Sequence, residues 1–505
     1  MEKAILNRRQ AGILMPVFSL PSRGGIGVLG KPVYDFIDFL ARAILKIWQV
    51  LPLTPTGYGD SPYQSCAADA FNYYLIDLEA LEKDGLLNLS PADYKALSDG
   101  DLRVNYGKMF NGKIPILKRA FEKFDCGGKD FAEFVNSGRY TDFCVFMALK
   151  EKFSFRPWNE WPELYRAYDK NITEEFSRNN KREILFWQFT QYIFVCQWQK
   201  VRQYALNKGI FILGDVPLYL SYDSVEMWKY GDKLFKVDKD KIPAVFSGAP
   251  PDCFSEDGQL WGNPVYDWDK MKEDGYSWWN KRLKDAFALY DIVRLDHFRG
   301  FDRYYAVPYS DSTAKNGEWQ KGPSFDFFKD KLNLAIVAED LGVLDEGVYD
   351  LMRKTGYAGM RELEYAFDGR KDNEHRPSNY TKNLVCYTGT HDNMPLKGYI
   401  DEEFKDEDKK KVFIKALKEE CLPYKIEADI SSNEGLSWTI CELSYASEAN
   451  TVIIPLCDML GLGEEARINF SGVQSENNWS WRAKEEYFSP RLCEKLAFLA
   501  NKYNR

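Results

Sequence analysis

Eight short apolar stretches, at 12–15, 47–51, 210–214, 292–296, 335–339, 363–367, 384–388 and 452–455, constrain this chain more than any other feature. Each is nearly continuous in aliphatic and aromatic residues. That is the pattern of strands covered on both faces, as in a parallel sheet, and not the alternation of a half-exposed strand. Helical patterns lie between them. The stretch 34–47 carries Phe36, Leu40, Ala43 and Ile47 on one stripe, and a longer one runs from 183 to 205 and stops before Gly209. Strand and helix alternating eight times predict an α/β fold, a (β/α)8 TIM barrel. A length of 505 residues would by itself suggest about three domains, but barrels with insertions run this long as one unit.

Two intervals are too long for simple crossovers. Residues 80–180 are charged and helix-rich, and predict a helical insertion after the second strand. Residues 222–276 are rich in Gly, Pro, Asp and Trp, and predict a loop subdomain over the barrel mouth. The expected organisation is therefore barrel at 1–79, 181–221 and 277–505, interrupted by these two insertions, with no separate C-terminal β-domain.

Composition removes several function classes. The net charge is −9 and no Lys/Arg block occurs, which argues against nucleic acid as a partner. No apolar run approaches the roughly 18 residues of a membrane span, and the first residues lack a signal-peptide core, so a cytoplasmic protein without membrane association is expected. Ten cysteines with no Cys-x-x-Cys pair read as free thiols, with no metal site. Fourteen Trp and 31 Tyr exceed what a core of this size requires, and aromatic platforms suit the apolar faces of sugar rings. Nothing in the sequence fixes an oligomeric state.

Chemistry enters with three acid-bearing segments that each follow an apolar stretch: Arg294-Leu295-Asp296-His297, Ala338-Glu339-Asp340 and Thr390-His391-Asp392-Asn393. Barrel enzymes keep their reactive groups at the C-terminal ends of the strands, where these acids fall. A single acid there is more often a helix cap or an ion-pair partner. Two of the chain's three histidines, His297 and His391, adjoin these acids, and Arg294 is placed to keep Asp296 ionised. An ionised Asp suits a nucleophile, and Glu339, desolvated at a strand end, suits a proton donor. The pair is the minimal machinery of retaining glycoside chemistry. His375, in a polar stretch, reads as a solvated loop residue, Asp340 as a cap for the next helix, and the glycines at 24, 25 and 27 as a turn, not a phosphate loop.

These segments resemble the core motifs of the amylomaltases, or 4-α-glucanotransferases (disproportionating enzymes), glycoside hydrolase family 77. The likeness extends through Leu51-Pro52-Leu53-Thr54-Pro55-Thr56-Gly57-Tyr58-Gly59-Asp60-Ser61-Pro62-Tyr63, Gly214-Asp215-Val216-Pro217, the 249–255 and 258–264 segments, and 460–469. The resemblance implies transfer of α-1,4-glucan segments between maltooligosaccharides without a metal or organic cofactor. It implies Asp296 as nucleophile, Glu339 as acid/base and Asp392 as stabiliser of the distorted donor ring. It also implies substrate contacts from Tyr58, Asp60, Ser61, Tyr63, Asp215, Gln259, Trp261, Arg294, His391 and Asn469. Cys253, Met394 and Cys457 depart from the family pattern, which carries an aromatic, an acid and a Gln there. An α-glucan hydrolase of the same clan and a non-catalytic glucan-binding protein are the alternatives. The second would be expected to have lost an acid, and all three are present.

Overall fold

The computed structural model describes residues 3–100, 102–251, 255–342, 344–473 and 475–505, and of Tyr58 the backbone only. Among the described residues, twelve strands form two sheets. They are β1 (Gln10–Leu14), β2 (Ile47–Gln49), β3 (Phe211–Val216), β4 (Val245–Ala249), β5 (Gln259–Pro264), β6 (Ile292–Leu295), β7 (Arg303–Pro308), β8 (Glu318–Lys321), β9 (Ile336–Ala338), β10 (Gly359–Glu362), β11 (Leu384–Tyr387) and β12 (Thr451–Pro455). Eight of these make one parallel sheet in the order β10-β11-β12-β1-β2-β3-β6-β9. A parallel bridge between Val337 and Ala358, with Ala338 N donating to Ala358 O at 2.8 Å, joins the two ends. The sheet is thus a closed (β/α)8 barrel, which leaves no unpaired edge.

The apolar runs become strands because both of their faces are covered. Ile13, Leu14, Trp48, Ile292, Val293, Val337, Ile453 and Ile454 are all buried, and each such side chain contributes about 1.5–3 kcal/mol by leaving water. Two side-chain hydrogen bonds tie strands and strand ends together. Tyr387 Oη donates to Gln49 Oε1 at 2.8 Å, linking β11 to β2, and Trp48 Nε1 donates to Met15 O at 2.8 Å. Gly214 is required by close approach, since a Cβ there would lie 2.2 Å from the Tyr290 ring.

The structure corrects the sequence reading in three places. The sixth strand is Gly359–Glu362, and residues Leu363–Tyr365 form a 3-10 turn. Leu363, Ala366 and Phe367 are buried and so imitate a strand in sequence, whereas the true strand carries Arg361 and Glu362. The helix Lys31–Arg42 ends five residues before Ile47, which opens β2. Finally, 222–276 is not merely loop. It contains the helix Val225–Leu234 and the strands β4 and β5, which pair with β7 and β8 in an antiparallel sheet, β5-β4-β7-β8. Those strands were hidden by partial exposure and by a register shift between Phe246 and Gly248.

Between β2 and β3 the described residues first run as loop and 3-10 turns with a bridge between Thr56 and Ser65, then from Leu78 as a series of helices ending in Lys181–Asn207. After β12 they add the isolated bridge Arg103–Trp481 and the helix Pro490–Lys502. Among the described residues no helix is long and apolar enough to cross a membrane, and the described cysteines are free thiols.

One buried acid of the accessory region gives a stability prediction. Glu226 is buried on the helix Val225–Leu234. Its Oε1 accepts from Ala68 N at 2.9 Å while its Oε2 has no partner, and burial pushes the carboxyl up to about 8. An acid raised on folding contributes its stability below its unfolded value of about 4.5, and that contribution is lost as pH rises through about 8. Glu226→Gln keeps the acceptor and removes the titration. It should therefore stabilise the fold at pH 7 by on the order of 3 kcal/mol, at about 1.4 kcal/mol per pH unit, and have little effect at pH 4.5. Equal shifts in unfolding midpoint at both pH values would refute this.

Candidate active site

The acids gather where the strands of the closed barrel end. Asp215 is on β3, Arg294 is on β6 with Asp296 just beyond it, and Glu339 follows β9. Strand register brings Asp215 opposite Arg294, and their side chains meet in the buried interior. Arg294 Nη1 donates to Asp215 Oδ1 and Oδ2 at 2.9 and 2.7 Å, and to Asp296 Oδ1 at 3.0 Å. One guanidinium thus fixes two carboxylates from adjacent strands. Tyr63 Oη donates to the same Asp215 at 2.7 Å, so a residue 152 positions away closes this cluster.

The backbone next to Asp296 shapes the second acid. His297 has φ of 48°, a left-handed conformation that costs a β-carbon residue about 1–3 kcal/mol. The turn aims its N–H at Glu339, whose Oε2 accepts it at 2.7 Å, and Leu341 N donates to Oε1 at 3.2 Å. The His297 ring packs edge-on against Trp261, centroids 4.8 Å apart, and burial pushes its pKa down to about 4, leaving it neutral.

The two acids are separated in proton affinity. Burial raises Asp296 to about 6 against the opposing pull of Arg294. Arg294 therefore limits the rise, and the aspartate is ionised near neutrality. Glu339 is raised well above the usual carboxylate range, by burial first and by the neighbouring Asp296 charge, against the pull of Arg294. Environments that push two carboxyls apart define an acid and a base.

The third acid sits in the loop after β11. Asn469 Nδ2 donates to Asp392 Oδ1 at 2.7 Å, Ser471 Oγ donates to its backbone oxygen at 2.9 Å, and His391 Nε2 lies 3.2 Å from Oδ2. Burial acts to raise Asp392, but His391, Asn469 and Arg294 more than offset it, and it is held below the usual range. Asn469, expected to touch substrate, is engaged with Asp392. The Tyr63 ring stacks on His391 with centroids 5.2 Å apart and planes 7° apart, with Trp479 beside both.

On the opposite rim, Trp261 Nε1 donates to Gln259 Oε1 at 3.0 Å, and both side chains are half-exposed on β5. An amide pair holds this strand to the 57–65 segment. Gln64 Nε2 donates to Asn263 Oδ1 at 3.1 Å, and Asn263 Nδ2 returns a bond to Gln64 Oε1 at 2.9 Å. In that segment Gly59 has φ of 73°, Ser61 Oγ accepts from Tyr63 N at 3.2 Å, and burial raises Asp60 to about 6. The Tyr58 side chain and Cys253 lie outside the described residues.

Two bland readings give way to contacts. Asp340 does not cap a helix, a task that falls to Asp345. It accepts from Met360 N at 2.6 Å and from Arg361 Nη1 at 3.0 Å. His375 is half-buried, and its Nδ1 accepts from Glu362 N at 3.1 Å. Of the departures, Met394 packs beside Gly398 and the Cys457 Sγ lies 3.8 Å from Asp458 Oδ1. Sequence reasoning missed the buried pair Glu362 and Glu364. Two acids inside the apolar run 360–367 were the available signal. Among the described residues no group of three or more His, Cys, Asp or Glu is set to hold a metal ion.

Fold and site together define a (β/α)8-barrel enzyme with a carboxylate-lined mouth. A family model described as 4-alpha-glucanotransferase matches residues 15–487. The 4-alpha-glucanotransferase of Clostridium butyricum is 40% identical over 499 residues, covering 97% of this chain and 100% of that protein. That of Thermus thermophilus is 38% identical, covering 98% and 99%. Among solved structures, the amylomaltase from Streptococcus agalactiae in complex with acarbose superposes with a TM-score of 0.91 at 35% identity, covering 99% of this chain and 100% of that one. This chain belongs to the 4-alpha-glucanotransferase family. It is accordingly a transferase acting on α-1,4-glucans, and these matches lend nothing to the hydrolase or scaffold alternatives.

Proposed function

We propose that this enzyme moves α-1,4-glucan segments between maltooligosaccharides by two displacements at one carbon. The Asp296 carboxylate attacks the anomeric carbon of the donor while Glu339 gives its proton to the departing 4-oxygen, leaving a glycosyl ester on Asp296. Glu339, now ionised, takes the proton from the 4-hydroxyl of an incoming sugar as that oxygen displaces Asp296, so configuration is retained. Asp392, anionic and aimed by Asn469 and His391, binds hydroxyls of the distorted ring and offsets the positive charge that develops on it.

The observation that carries this reading is the divergence of the two acids. Asp296 is paired with Arg294, while burial and the Asp296 charge hold Glu339 high against its backbone N–H donors, so that one is a nucleophile when the other still holds its proton. Tyr63 and His391 line the donor ring, with Asp215 and Arg294 beneath it. Asp60, Ser61, Gln259, Trp261 and the position of Tyr58 contribute the rim for neighbouring glucose units. The acarbose bound by the Streptococcus agalactiae relative is a ligand that this mouth would take in the same way. A cytoplasmic location suits such substrates.

Incubation with maltotriose alone tests transfer. The expected result is a ladder of longer and shorter glucans at a constant number of reducing ends. Rising reducing ends without longer products would make water the acceptor and overturn the reading.

A further inference from the structure

The loop that aims Asp392 is anchored to the helical region between β2 and β3. Residues 465–473 leave the 3-10 turn Glu464–Ala466 and carry Asn469 and Ser471 to their bonds with Asp392. Residues 475–480 return through Trp479, whose ring lies beside Tyr63 and His391. The two limbs brace each other. Trp479 N donates to Ile468 O at 2.6 Å, Phe470 N to Asn478 Oδ1 at 2.8 Å, and Asn478 Nδ2 to Val473 O at 2.8 Å. Trp479 has φ of 58°, a left-handed conformation that a side chain of this size keeps only where its surroundings over-determine it.

Those surroundings come from residues 102–106, just before the helix Tyr106–Lys123. Val104 N donates to Ser480 O at 2.7 Å, Arg482 N to Leu102 O at 2.9 Å, and Tyr106 Oη to Trp479 O at 2.8 Å, around the antiparallel bridge of Arg103 with Trp481. The Arg103 guanidinium reaches both limbs of the loop. Its Nη2 donates to Glu465 O at 3.0 Å, where the loop leaves, and its Nη1 donates to Asn477 O and Ser480 Oγ, both at 3.2 Å, where it returns. Among the described residues these neutral oxygens are the acceptors of this half-buried side chain. A planar fork that bonds two limbs at once sets their separation, which a group that only balanced charge would not do.

We propose that Arg103 is a positioning residue for the transfer reaction. By clasping the two limbs of the 465–480 loop, its guanidinium fixes Asn469 and Ser471 against Asp392, and so fixes the carboxylate that faces the donor ring. Arg103 acts through the loop, 362–377 positions further along the chain. Without it the loop keeps its internal braces but loses its side-chain tie at the base, and Asn469 no longer holds Asp392 Oδ1 in one place.

This inference rests on the assignment of Asp392 to the donor ring. Asp392→Asn tests that assignment separately, and a variant with normal kcat would defeat it whatever Arg103 does. For Arg103 itself, each variant is assayed on maltotriose well below its own unfolding midpoint, so that only folded enzyme is compared. Arg103→Met keeps the stem of the side chain and removes the fork. It should lower kcat by about 10–100-fold with KM changed by less than about threefold, because a shift of about 1 Å at a reacting group costs up to about a hundredfold. Arg103→Lys keeps the charge, but its single ammonium cannot bond Glu465 O and Asn477 O together, and it should fall nearly as far.

A double-variant cycle separates positioning from general support. Asn469→Ala severs the loop from the Asp392 carboxylate, so adding Arg103→Met to it should cost less than about threefold further, because both changes act on one linkage. Native kcat in Arg103→Met or Arg103→Lys would overturn the proposal, as would a loss borne by KM alone. So would an Arg103→Met loss that is undiminished in the Asn469→Ala background, because the damage would then not pass through the bond to Asp392.

Discussion

Glu339→Gln should lower kcat for maltotriose disproportionation by roughly 10²–10⁴-fold, the range expected when a positioned proton donor is removed. The amide keeps the shape of the side chain and its one oxygen can accept from His297 N, giving up the longer bond from Leu341 N, so the unfolding midpoint should change little. A donor whose leaving group needs little protonation, such as an α-maltosyl fluoride, should restore the first step. The second step lacks its base, so the glycosyl ester on Asp296 should accumulate and be visible as an added mass on the intact protein. Retained turnover on maltotriose, or accumulation on another residue, would remove Glu339 from the acid/base role. The native pH profile follows from the same assignment. Activity should be lost below about 6, where Asp296 takes a proton, and lost again on the alkaline side as Glu339 gives its proton up.

Much of this molecule could be read in its sequence, because the barrel strands and the three acids are governed by local rules. A strand covered on both faces must be apolar along its length, and the residue after it falls at the mouth. That is why Asp296 and Glu339 stand in sequence where they stand in space. The reading failed where burial and polarity separate. Gly359–Glu362 carries two charged residues yet runs through the barrel wall, since Arg361 finds Asp340 and Glu374, and Glu362 is enclosed by the donor-site loop. The more apolar 363–367 imitated the strand it follows. No periodicity distinguishes a buried charge with partners from a surface charge, because the partners lie elsewhere in the chain.

The same limit applies to the site. Arg294 and Asp296 are two residues apart, and their pairing was legible. The contacts Tyr63 to Asp215, Gln64 to Asn263 and Asn469 to Asp392 span 152, 199 and 77 positions. They become visible only once the barrel has closed. The left-handed His297 belongs to neither class. Its sequence neighbours predict no turn, and its conformation is held because Glu339 and the Trp261 ring occupy the other side of it.

Arg294→Met is the variant with the largest expected effect on the fold and the site together. The native guanidinium and Asp215 are both buried, and Arg294 bonds both oxygens of Asp215 and one of Asp296. Methionine fills similar volume but leaves the carboxylates without a counter-charge, a change that costs about 3–5 kcal/mol when a buried pair is broken from one side. Turnover should be lost as well, since Asp296 would no longer be aimed. Arg294→Lys should not rescue activity, because all three bonds leave Nη1 and a lysine ammonium ends one bond short of that position. Adding Asp215→Asn to Arg294→Met removes the stranded charge, and should recover a large part of the stability but none of the activity. Chemical denaturation of the single and double variants at pH 7 measures the difference. If Arg294→Met unfolds at the native midpoint, or if the double variant is no more stable than the single one, the ion cluster is not what holds this end of the barrel.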